Sequence, residues 1–192
     1  QGGSTVTQPD MSLDNYKSII DESKDKVMQV ALGGRGDPNL HADFGAILAY
    51  TRENGIIPNY TTSGMLLTDE QIALSKEHCG AVAVSWYGAD YTIDALCRLI
   101  SAGVTTNIHY VLNKSTIEQA GDILAHEHGL PYGLNAIIFL LHKPVGLGRQ
   151  EEVLSVDMPM VRRFFDLVEH GHFLYKLGFD ACTIPGIVTQ TT

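Results

Sequence analysis

Apolar positions along the chain follow two rhythms. Short apolar runs stand at 27–32 (VMQVAL), 57–62 (IPNYTT), 81–86 (AVAVSW), 106–111 (TNIHYV) and 135–141 (NAIIFLL), with a weaker one at 173–179 (FLYKLGF). Several are almost continuously apolar, which predicts parallel β-strands covered on both faces. Helical spacing fills the intervals. Phe44, Ile47 and Leu48 make one stripe within 43–54, which Thr51 continues weakly. Ile93, Leu96, Cys97 and Ile100 mark a second helix that Gly103 can end, and Val161, Phe164, Phe165 and Val168 mark the last one. Thr68 with Gln71, and Ser115 with Glu118, have the form of capping boxes that open two more helices.

Strand and helix therefore alternate every 24 to 30 residues or so, the length of a βα unit. Such units wind right-handed, into a barrel, part of a barrel or an open doubly wound sheet. Residues 12–24, with Tyr16, Ile19 and Ile20 on one face, form a helix with no strand before it. That missing strand, and a first residue that is Gln1, predict a chain truncated at its N-terminus. Residues 1–192 show no linker and read as one domain.

Composition narrows the class. A hydrophobic content of 44% and a charged content of 18% describe a well-buried globular chain. A net charge of −9 with scattered Lys and Arg excludes a nucleic-acid surface. No apolar segment approaches the roughly 20 residues of a membrane span, and no secretory signal is present. Three widely separated cysteines make a poor disulfide framework, which places the chain in a reducing, cytoplasmic compartment.

In parallel α/β folds the site lies at the C-terminal ends of the strands. Here those positions carry GGRGDP after the first run, TSG (62–64) after the second, Ser85 near the end of the third, Asn113 after the fourth and KPVGLGR after the fifth. The set is rich in Gly and small polar groups and poor in acid–base pairs, which suits backbone-mediated binding of a polar small molecule.

In this order the motifs resemble the radical S-adenosylmethionine superfamily. Gly33, Gly34, Arg35, Gly36, Asp37 and Pro38 resemble its GGEP motif, and the following NLHADF resembles its LxHPDF continuation. NGIIPNYTTSG, AVAVSWYGAD, GVTTNIHYVLNKSTIEQAGDIL and KPVGLGR are similar to its later strands and turns. Two positions depart from the pattern: Asp37 stands where Glu is usual, and Ser63 where Asn is usual. The defining C-x3-C-x2-C of the family is absent from this sequence and would belong upstream of Gln1.

The resemblance implies a partial (β/α) barrel, S-adenosylmethionine and a [4Fe–4S] cluster as cofactors, an electron donor, and reductive cleavage to a 5′-deoxyadenosyl radical. It implies that the Gly33–Pro38 backbone receives the methionyl ammonium, and it makes Ser63 a further cofactor-binding candidate. It places Ser85 and Asn113 near the carboxylate and ribose, and the Val145–Gly148 backbone, Val145 and Gly146 foremost, against the adenine. LGFDACTIPG (177–186) is similar to a stretch in members that carry an auxiliary cluster and modify peptides or proteins, which makes Cys182 a candidate ligand.

Plainer readings stand beside these. The glycine loop can be a tight turn, Ser85 a strand-end hydroxyl, Asn113 the start of the turn before Ser115, Cys97 a core residue and Cys79 a buried helix end. His41 and His109 are candidates for the rim, whereas the pairs His126/His128 and His170/His172 have spacing that does not share a helix face. Rival functions are an aldolase- or isomerase-type barrel, which needs a strand-end Lys (Lys114 or Lys143) or paired carboxylates, and a non-catalytic barrel that keeps only the ligand rim. Because the cysteines are so far apart in sequence, anaerobic reconstitution of this chain with iron and sulfide is expected to leave iron well short of one cluster per chain. Stoichiometric loading with a reducible cluster would contradict it.

Overall fold

The structure, a computed structural model, describes residues 9–34, 36–126, 130–146 and 148–191. Segment 1–8, Arg35, His128 and Leu147, on which some of the expectations above fall, lie outside the described residues. The elements in order are α1 (Leu13–Ser23), β1 (Gln29–Leu32), α2 (Phe44–Glu53), β2 (Ile57–Thr62), α3 (Asp69–His78), β3 (Val82–Ser85), α4 (Asp90–Ser101) and β4 (Thr106–Leu112), followed by α5 (Ile117–His126), β5 (Ala136–Leu141), α6 (Pro159–His170), β6 (Lys176–Phe179) and α7 (Ile184–Gln190). Single 3-10 turns occupy Pro38–Leu40 and Gln150–Glu152. The strands form one sheet in the order β1-β2-β3-β4-β5-β6, which bears out the alternating parallel α/β reading. Among the described residues the chain divides within β4 into two compact units, one ending at Asn107 and one beginning at Ile108. Among the described residues no helix is long and apolar enough to cross a membrane.

In the first unit, α1 starts at Ser12, whose side chain accepts from the Asn15 amide at 3.3 Å. Its buried face is Tyr16 and Ile20, packed with Ile47 and Ile56, while Ile19 is exposed. The capping box at α3 forms as expected: Thr68 Oγ1 accepts from the Gln71 amide and Gln71 Oε1 accepts from the Thr68 amide. β1 pairs with β2 in parallel, Gln29 opposite Ile57, and β2 with β3, Tyr60 opposite Val82.

The expectation of strands covered on both faces fails for β1 and β2. Burial alternates along β2, with Pro58, Tyr60 and Thr62 covered and Ile57, Asn59 and Thr61 half open. On the open face Asn59 Nδ2 donates to Gln29 Oε1 at 3.1 Å, and Asn59 Oδ1 accepts from the Ala81 amide at 2.7 Å. A face with such hydrogen-bonding residues can stay wet, so it needs no second helical layer.

In α4 the buried residues are Thr92, Ala95, Leu96 and Leu99. Cys97, expected in the core, is exposed, because the inward stripe is rotated by one residue from the one the sequence suggests. Gly103 does end the helix, with φ of 76°.

The second unit is built around aromatic rings. Phe139 of β5 stacks on Phe179 of β6 at 5.6 Å and meets Phe164 of α6 edge-on at 5.0 Å. β5 and β6 run parallel, with Phe139 opposite Phe179. Helix α5 is capped differently from expectation. Asn113 Oδ1 accepts from the Ser115 and Thr116 amides, both at 2.9 Å, while Ser115 gives its hydroxyl to Glu152. Asn113 thus fills the role expected of Ser115.

Three phenols are held away from water. Tyr60 shares a buried hydrogen bond with Ser75 at 2.8 Å, Tyr16 one with Thr51 at 2.6 Å, and Tyr110 donates to Thr116 O at 2.9 Å. Burial pushes all three above the ordinary phenol value of 10.0. The folded state keeps them neutral where the unfolded chain ionises. Their contribution to stability is therefore complete below pH 10 and is lost as pH rises beyond it. Urea unfolding across that range is expected to show falling stability. Tyr60→Phe is expected to make the fall shallower while costing about 0.5–1.5 kcal/mol at neutral pH for the lost hydrogen bond. An unchanged slope would contradict the assignment.

Candidate site at the strand ends

The loop that leaves β1 holds Gly33, Gly34 and Gly36, then Asp37 and Pro38. The fold does not force these glycines. None of the three has a left-handed backbone, and a Cβ built on any of them meets nothing within 4 Å. Gly64, at the end of β2, is the opposite case. Its φ is 86°, and a Cβ there would lie 2.6 Å from Ala95 Cβ. Close packing of α4 therefore requires Gly64, whereas the backbone of the β1 loop is simply left open.

What fixes that open loop is a polar network on the first turn after β2. Asp37 Oδ1 accepts from the Ser63 amide at 2.8 Å, and Oδ2 accepts from the Ser63 hydroxyl. Ser63 Oγ in turn accepts from the Met65 amide at 3.1 Å. One layer deeper, Asn39, 1% exposed within the 3-10 turn, accepts the Thr62 hydroxyl on Oδ1 at 2.8 Å. The same hydroxyl accepts from the Gly64 amide at 3.0 Å. Gln71 Nε2 donates to Asn39 O at 2.6 Å, so the side chain that completes the α3 cap also straps the loop. Arg98 holds the far end of the β2 turn through Leu67 O at 2.8 Å and pairs with Asp69 at 2.6 Å. Between these anchors Met65 and Leu66 are exposed, and Leu66 has φ of 58°.

Ser85 is half-buried as the last residue of β3. His41 accepts from the Asp43 amide on Nδ1 and lies 3.0 Å from Met11 O through Nε2, so its ring has local partners. Sequence reasoning missed Asn39 and the second role of Gln71. The visible signals were a polar residue just after Pro38 and a capping Gln, neither of which reveals that the two meet.

In the second unit Asn113 is occupied with capping α5. The turn at Val145 closes on itself: the Val145 amide donates to Lys143 O at 2.8 Å, and the Gly148 amide to Val145 O at 3.0 Å. Glu152 anchors this long loop, accepting from the Ser115 hydroxyl at 2.7 and 2.8 Å and from the Ser115 amide at 3.2 Å. His142 Nε2 lies 3.0 Å from Arg149 O.

After β6, Asp180 accepts from Thr183 at 2.7 Å and pairs with Lys143 at 3.7 Å. Burial pushes its carboxyl up, but the Thr183 hydroxyl and its other partners more than offset this and hold it below the usual range. Lys143 is held above its ordinary value by Cys182 first and by Asp180.

Cys182 is exposed, Cys97 is exposed, and Cys79 ends α3 with its thiol pushed up to about 12 by burial. Among the described residues no three His, Cys, Asp or Glu side chains gather to hold a metal.

No family model matches the sequence, and no curated protein matches it. Solved structures do match. Streptococcus suis SuiB bound to S-adenosylmethionine superimposes with a TM-score of 0.69 at 15% identity, over 91% of this chain and 45% of that one. SuiB bound to its precursor peptide SuiA gives 0.71 at 14% identity, over 94% and 45%. anSMEcpe with bound AdoMet and Kp18Cys peptide gives 0.62 at 13% identity, over 81% and 50%. The fold is that of radical S-adenosylmethionine enzymes. At such identities the likeness is one of fold, and this chain spans about half the length of those structures.

The Glu152 anchor yields a direct test. The Ser115 hydroxyl holds the Glu152 carboxyl below its ordinary 4.5. The ionised carboxylate, accepting from Ser115, supports the loop above that value, and the support is lost as pH falls through the depressed one. Ser115→Ala is expected to move the Glu152 titration, followed by carbon NMR of its carboxyl, upward toward 4.5. An unmoved titration would show that Ser115 does not hold the carboxylate.

Proposed function

We propose that this chain is the S-adenosylmethionine-binding core of a radical enzyme acting on a peptide or protein. The observation that carries this reading is the β1 loop. Three glycines that the fold does not require leave the backbone open, while Asp37 and Asn39 fix the loop through their hydrogen bonds to the end of β2. Carbonyl groups in such a loop can accept a ligand ammonium, and rigid placement lowers the cost of ordering them. These residues fit the methionyl end of the cofactor. Gly33, Gly34 and Gly36 would offer backbone, Asp37 and Pro38 would set the loop's direction, and Ser63 and Ser85 stand at the neighbouring strand ends.

S-adenosylmethionine supplies the radical chemistry in such enzymes, and the protein supplies position and exclusion of water. The described residues do not fit a [4Fe–4S] cluster, because no three metal-ligating side chains among them gather. The whole enzyme would draw its electron from an external donor. The peptide reading is supported by neighbours whose structures contain the peptides SuiA and Kp18Cys.

Gly34→Val distinguishes a ligand loop from a mere turn. With nothing within 4 Å of the added Cβ, the variant is expected to fold with an unchanged thermal midpoint. Calorimetric titration of the full-length protein is expected to show S-adenosylmethionine binding lost. A well-folded variant with unchanged affinity would overturn the reading.

A further inference from the structure

Two features of Leu66 disfavour it as a purely structural residue. Its φ of 58° lies in the left-handed region, where an apolar side chain crowds its own backbone. Among the described residues the other non-glycine case is Asp25, a short polar residue of the kind that tolerates the region. The Leu66 side chain is also left in solvent, the residue being 74% exposed, while local burial falls to Leu67, which is 4% exposed. The strain persists because the loop is fixed on both sides. The Gly64 amide donates to Thr62 Oγ1 at 3.0 Å, and the Met65 amide to Ser63 Oγ at 3.1 Å. Beyond Leu66, Arg98 Nη1 donates to Leu67 O at 2.8 Å, and Arg98 is itself held by Asp69. A strained residue that its surroundings hold and turn to solvent points to something outside the loop that uses it.

The neighbouring loop has the same character. β2 and β3 pair in parallel, so the loops that leave them rise from one edge of the sheet. Exposed Tyr87 follows β3 as exposed Met65 and Leu66 follow β2. In a chain of net charge −9, neither 61–68 (TTSGMLLT) nor 85–89 (SWYGA) contains a charged residue or a histidine. These loops offer no cation to a phosphate or carboxylate, and Arg98 behind the turn is already paired with Asp69 and Asp94. Methionine and aromatic side chains without charge are the composition of interface centres, so the matching occupant is an uncharged chain with an apolar side chain. We propose that Leu66, with Met65 and Tyr87 on the same sheet edge, is a specificity-determining anchor that seats a large apolar side chain of the peptide substrate. It stands next to the β1 loop, which Ser63 holds through Asp37. The proposal rests on the reading of this chain as an enzyme acting on a peptide or protein. A covering segment of the same protein is the competing occupant. It predicts lower stability when Leu66 is changed, where a peptide substrate predicts none.

The test uses the full-length protein with carbon-13 methyl-labelled methionine and two uncharged synthetic decapeptides, identical except for Leu or Ser at the centre. The Leu peptide is expected to shift the Met65 methyl resonance and leave that of Met28 in place. Met28, 84% exposed just before β1, reports indiscriminate apolar contact. The Ser peptide is expected to bind about tenfold more weakly, the effect of one apolar anchor lost. Leu66→Asn removes the apolar side chain and suits a left-handed backbone. It is expected to weaken the Leu peptide about tenfold, with the thermal midpoint unchanged or higher. Leu66→Met keeps the apolar bulk and is expected to stay within about twofold of wild type. No Met65 shift, equal shifts at Met65 and Met28, unchanged affinity in Leu66→Asn or a lowered midpoint in that variant would each overturn the anchor. Every titration is run with and without S-adenosylmethionine. If calorimetry shows no S-adenosylmethionine bound, the radical-enzyme reading falls, and the Met65 shift and the Leu66→Asn affinity still decide the anchor.

Discussion

A carboxylate gripping the amide and hydroxyl of one serine is the constraint on which the candidate site depends. Asp37 takes Ser63 in this way, and behind it Asn39 takes Thr62. The β1 loop has no hydrophobic side chain among Gly33, Gly34 and Gly36 with which to anchor itself. Its position comes from polar bonds made at partly or fully buried atoms, where a lost partner costs more than it would in water. Other residues fix the loop, so the glycines carry no packing role there.

The same device occurs in the second unit. Glu152 accepts both the amide and the hydroxyl of Ser115, tying the long loop after β5 to the turn after β4. Each case links the ends of two adjacent strands through one short side chain and one carboxylate. The two differ in exposure: the Asp37 bonds are half-buried and backed by Asn39, while the Glu152 bonds face solvent. Exposed pairs contribute little to stability, so the Glu152 link governs where its loop rests more than whether the chain folds.

Burial in the first unit fits this division of labour. Apolar packing is concentrated between the helices and one face of β1 and β2, with Tyr16, Ile20, Ile47 and Ile56 at its centre. The other face keeps Gln29, Asn59 and Thr61, which bond one another or the backbone or retain polar partners. Hydrophobic burial stabilises the helical side, and the polar side keeps groups suited to a wet or ligand-bearing surface.

The sequence by itself determined the alternation of strands and helices, most element boundaries to within a few residues, the Thr68–Gln71 cap and the glycine loop as the feature most in need of explanation. Those are local matters, set by periodicity and by residues three or four apart. Only tertiary structure decided which face of α4 is buried, leaving Cys97 outside, and that Asn113 and not Ser115 caps α5. Only tertiary structure brought Asp37 to Ser63 and gave Gln71 its second bond, to Asn39. These contacts join residues 26 and 32 positions apart, where no periodicity reaches. Parallel strands put the end of each next to the end of its neighbour, and that adjacency turns two separate departures from a motif into one interaction.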